Sequence, residues 1–145
     1  AWPGQVAAGV TDHRPVSAID VFATALGAAG AAMPTDRPYD SVDLLPFLVG
    51  KNSGAPHWRL FWRSGAQWAI REGDWKLVRM RGKPDELYNL AQAVGEEHDL
   101  ARAQSAVAAR LADALETWNA ELIDPVFPGL ESHNASKKGS AKKRP

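Results

Sequence analysis

The spacing of apolar residues changes along this chain, and each spacing predicts an element. Ile19, Phe22, Leu26 and Ala29 recur three to four residues apart, behind a Ser17/Asp20 pair that is a weak capping-box analogue and ahead of Gly30, a good C′ residue. That pattern predicts a helix over residues 18–29. Residues 31–41, with Pro34, Thr35, Pro38 and two aspartates, have loop chemistry. A short helical piece over 43–49 follows, with Pro46 tolerated in its first turn and Gly50 ending it. Residues 51–56 contain Asn52, Ser53 and Gly54 and form the natural boundary, because composition shifts there from Ala-rich helix to Trp-rich strand.

Beyond the boundary the period falls to two. Residues 59–64, 67–71 and 75–81 alternate as strands, and Glu86 to Asn89 adds a fourth at an edge. Glu72-Gly73 is a plausible two-residue turn, which would set Arg71 against Asp74, Ile70 against Trp75, Ala69 against Lys76 and Trp68 against Leu77. In that register the large apolar side chains share one face, and they are expected to be core rather than a ligand platform. Leu100, Val107, Leu111, Leu115, Trp118 and Leu122 then return to helical spacing, and Pro125 stops the helix. The expectation is an α+β fold: a small four-stranded antiparallel sheet covered on one face by a C-terminal helix, preceded by a helix and loops. The other face needs solvent or a partner.

Composition adds exclusions. The 145 residues include six Trp and no Cys, so disulfides, thiolate metal sites and a cysteine nucleophile are outside this chain's chemistry. No apolar run approaches the ~18 residues of a membrane span. The formal charge of zero hides an asymmetry: residues 132–145 carry Lys137, Lys138, Lys142, Lys143 and Arg144 without an acid, which leaves the body net acidic. An acidic body does not suit nucleic acid, since neutralising phosphates needs a basic face. The Ser/Lys/Gly/Pro tail has the composition of a solvated, disordered end, with weak contacts to polyanions as the alternative.

There is no glycine-rich phosphate loop and no nucleophile elbow, and His13, His57, His98 and His133 are scattered. Asp40 with Asp43, and Glu96 and Glu97 with Asp99, are acidic clusters; loop and helix-start preferences explain them as well as a cation would.

The order of several short blocks carries more. Trp2-Pro3-Gly4, DVFATAL at 20–26, Gly30, DSVDLLPFLVG at 40–50, LFWR at 60–63, AIREGDWKLV at 69–78, ELYNL at 86–90 and EEHDLA at 96–101, with the helix ending in Trp118, resemble the C-terminal portion of an arylsulfatase-like sulfatase of the alkaline-phosphatase-like superfamily. The resemblance covers about residues 1–130. Departures fall at Ala23, where Pro is usual, at Ser41, where Gly is frequent, and at Gln92 to Val94, where an acid is usual; they concern turns and packing.

The resemblance implies a division. Residues 1–50 would close a catalytic α/β domain, 57–130 would form the C-terminal subdomain beside the substrate mouth, and 132–145 would be the basic tail. It implies a parent enzyme in which the hydrate of a formylglycine attacks the sulfate sulfur of an ester polarised by calcium. The motifs for both lie upstream of Trp2 in the family, so no catalytic or metal-binding residue carries over, and this chain alone is expected to be inactive. The implied partners are the missing N-terminal catalytic domain and, in the parent, a sulfate ester. The implied location is periplasmic or extracellular.

His57, Arg59 and Arg63 are the candidate substrate-binding residues, because cationic donors where the strands begin suit an anionic substrate. The alternative is that the two arginines are ordinary outward-facing strand residues. Two other functions stay open: a noncatalytic module that binds sulfated glycans or a protein partner, and a phosphodiesterase or phosphonate hydrolase of the same superfamily.

Overall fold

A computed structural model describes residues 2–124. The basic tail, Pro125 and the end of the 57–130 segment lie outside the described residues. The chain divides into two units, Ala1–Trp58 and Arg59–Pro145.

In the first unit, α1 (Asp20–Ala28) and α2 (Leu45–Leu48) are set in irregular chain. Helix α1 starts at Asp20 rather than two residues earlier, behind Ile19 as an N-cap that makes no side-chain bond; the Asp20 carboxylate reaches back to accept the Ser17 N–H at 2.7 Å and ties down the chain before the helix. At the other end Gly30 adopts φ +66°; its N–H bonds the Gly27 carbonyl and the Ala31 N–H bonds that of Leu26. These two bonds are a Schellman motif, which needs a residue that accepts positive φ.

Helix α1 buries the side that a soluble helix normally exposes. Its buried residues are Asp20 and Ala23, while Ile19, Val21 and Phe22 are 51%, 69% and 44% exposed. Thr24 Oγ1 accepts the Leu44 N–H at 3.0 Å. A Cβ at Gly27 would stand 2.3 Å from Asp43 Oδ2, so that position admits no larger residue without moving the Asp43 carboxylate. The inward face is therefore Asp20, Ala23 and Thr24, small and polar. The spacing predicts the helix, but of its apolar stripe Ile19 and Phe22 are exposed, Phe22 stacked on Tyr39 at 5.6 Å between centroids, and Leu26 is half-buried.

The second unit is a four-stranded sheet in the order β1-β2-β3-β4 with one long helix. The strands are β1 (Arg59–Ser64), β2 (Gln67–Glu72), β3 (Trp75–Met80) and β4 (Glu86–Asn89), and the helix is α3 (Ser105–Ala120). All neighbouring pairs are antiparallel. The β2–β3 turn is Gly73-Asp74, not Glu72-Gly73: Glu72 pairs with Trp75 and Ile70 with Leu77. Gly73 takes φ +57°, as a two-residue hairpin loop with glycine first requires. Each partner thus moves by two residues from the expected register. An even shift preserves the pleat, so Trp68, Ile70, Trp75 and Leu77 still share a face.

One cross-strand row, Phe61–Ile70–Leu77–Leu87, runs the width of the sheet. Ile70, Leu77 and Leu87 are fully buried against Leu111 and Leu115 of α3, with Val107 and Trp118 packed at the margins. The Phe61 and Trp118 rings stack at 4.8 Å between centroids. Of the expected helical stripe, Leu100 and Leu122 lie outside α3. Leu100 instead donates its N–H to the Leu87 carbonyl at 2.7 Å. Asp99 Oδ1 accepts the Leu87 and Ala101 N–H groups at 3.0 and 2.9 Å. The segment thereby satisfies backbone groups along β4, which would otherwise be an open edge.

Candidate functional site

The three candidate residues are divided between the two units. His57 belongs to the first. Its side chain is almost fully buried, and its Nε2 is 2.8 Å from Asp20 Oδ2. Asp20 Oδ1 accepts the Val42 N–H at 2.9 Å, so one buried carboxylate joins residues 17, 42 and 57. Burial pushes the Asp20 carboxyl up, but the Ser17 and Val42 N–H groups and His57 outweigh it and hold the carboxyl below its ordinary range.

Arg59 and Arg63 belong to the second unit. They alternate with Phe61 along β1, which places both on the face that α3 covers, not on an outward face. Arg59 Nε donates to Glu72 Oε2 at 2.5 Å, across the strand pair that sets Arg59 opposite Glu72. Arg110 of α3 bonds the other Glu72 oxygen. Burial raises the Glu72 carboxyl, and the two guanidinium groups more than reverse this. Arg63 Nη1 donates to Asn119 Oδ1 at 2.8 Å, and its Nη2 donates to the Ile123 carbonyl. All three candidates are thus held by neighbours within their own units.

Sequence reasoning had no signal for the two partner carboxylates, Asp20 and Glu72. Asp20 read as a cap and Glu72 as a turn residue, and their distant partners depend on tertiary contact. Arg14 was also missed. It donates to Asp12, to the Phe47 carbonyl at 2.9 Å and to the Asn52 and Gly54 carbonyls at 3.0 and 3.3 Å, clamping the turn after α2 to the chain before α1.

Among the described residues no group of three His, Cys, Asp or Glu side chains could hold a metal. Three acids of the two sequence clusters are engaged elsewhere: Asp43 Oδ1 accepts the Leu45 N–H, Glu96 pairs with Lys76, and Asp99 holds β4. A cleft beside β4, bounded by Tyr88, Asn89, Glu97 and His98, has a volume of about 10 Å³, room for one water. No helix among the described residues is long and apolar enough to cross a membrane.

Acid should loosen both units. Asp20, Glu72 and Asp99 all have carboxyl values held below the ordinary ones, so the folded chain binds fewer protons than the unfolded chain as pH falls through those values. Their stabilisation is complete above the unfolded carboxylate range, about pH 4–5, and is lost as pH falls through the folded values. Denaturant midpoints measured from pH 7 to pH 3 should fall with acid, and the fall should shrink in Glu72→Gln.

No family model matches the chain. Among curated proteins it is similar to N-acetylgalactosamine-6-sulfatase of Canis lupus familiaris, 47% identical over 49 residues, 34% of this chain and 9% of the relative. It is also similar to steryl-sulfatase of Rattus norvegicus, 43% identical over 60 residues, 41% of this chain and 10% of the relative. The matched segments thus span about a tenth of these relatives. Among solved structures, Ps i-CgsB aligns with a TM-score of 0.76 at 23% identity, over 99% of this chain and 33% of that one, a likeness of fold. Together these matches relate the chain, over a small part of each relative's length, to the sulfatases of the alkaline-phosphatase-like superfamily.

Proposed function

We propose that the chain is the C-terminal part of a sulfuric ester hydrolase. In this reading residues 1–50 complete the catalytic α/β domain, and residues 57–130 form the subdomain that shapes the substrate mouth. The observation that carries it is the inverted burial of α1. A helix whose polar, small face is inside and whose Val21 and Phe22 are outside is a helix with apolar neighbours still to come. Segmental similarity to much longer sulfatases supplies the identity of those neighbours. The formylglycine and calcium of the family's chemistry then belong to the preceding polypeptide, and an exported location, periplasmic or extracellular, belongs to the same reading.

Arg59 and Arg63, both of the second unit, are assigned to the mouth on electrostatic grounds, whereas the His57 imidazole is taken up by the buried Asp20 carboxylate of its own unit. Two guanidinium groups share the single Glu72 carboxylate, so the β1 and α3 seam at that point keeps a net positive charge for an anionic ester. Arg63 is oriented by Asn119 and by a carbonyl, neither of which neutralises it. The test is to join the chain to its preceding polypeptide and follow p-nitrophenyl sulfate turnover. Loss of a charged hydrogen bond in Arg63→Ala should cost about 1.5–3 kcal/mol, or roughly tenfold or more in kcat/KM. An unchanged kcat/KM rejects the mouth role, and turnover of a phosphonate or phosphodiester in place of the sulfate moves the protein to a neighbouring hydrolase class.

Produced alone, the chain should bind an apolar dye or self-associate, and Phe22→Asp should weaken either behaviour without unfolding it. A monodisperse, dye-silent monomer would instead favour a free-standing noncatalytic module.

A further inference from the structure

We draw no further inference here: the strongest candidate, the sheet face opposite α3, where exposed Trp62 stands in one cross-strand row with Ala69 and Val78, carries nothing because no feature of the structure shows what covers it.

Discussion

Asp20→Ala is expected to unfold the first unit locally and to destabilise it by about 3–5 kcal/mol. The carboxylate is fully buried and takes three hydrogen bonds, from Ser17, Val42 and His57. Alanine leaves two backbone N–H groups and an imidazole N–H without an acceptor in a place that water does not reach. Each unpaired donor carries a desolvation cost of about 1–3 kcal/mol. Hydrogen exchange is the appropriate measurement, because it reads the Ser17 and Val42 amides individually. Both should lose protection together in Asp20→Ala. Asp20→Asn keeps one acceptor oxygen and should fall between the two. Unchanged protection at Val42 would show that the carboxylate does not join the segments.

Leu115→Ala should cost the second unit a comparable amount, about 2–5 kcal/mol. Leu115 is fully buried with Leu111 against Ile70, Leu77 and Leu87. Its removal leaves a cavity under the centre of the sheet, between the strands and α3. Urea denaturation followed by tryptophan fluorescence should show a lower midpoint with little change in slope. Trp68, Trp75 and Trp118 pack around the same cluster and report on it directly. A shift below about 1 kcal/mol would mean that α3 is not the element that holds the sheet. Leu122→Ala is the contrast: that residue lies beyond α3, is partly exposed, and should change stability little.

The sheet was legible because its information is local. Alternation marks each strand, glycine marks each hairpin, and the stripe of Val107, Leu111, Leu115 and Trp118 marks the helix that covers it. The β2–β3 register was misjudged by two residues because Glu72-Gly73 and Gly73-Asp74 are both acceptable turn pairs by composition. What decides between them is the backbone: glycine in the first loop position takes the positive φ that the strand twist requires. Parity protected the rest of the reading, since an even shift leaves each residue on its own face.

The candidate site was less legible. Cationic type and position along the chain singled out His57, Arg59 and Arg63, but pairing across 37 residues to Asp20, 13 to Glu72 and 56 to Asn119 has no local signature. Element type, chain order and the segment-by-segment likeness to sulfatases could all be read from the residues, because each depends on spacing along the chain. The tertiary structure alone decided which way α1 faces. Helical periodicity records that apolar residues share a side but not what lies against that side, and three hydrogen bonds to one buried carboxylate turned the other side inward.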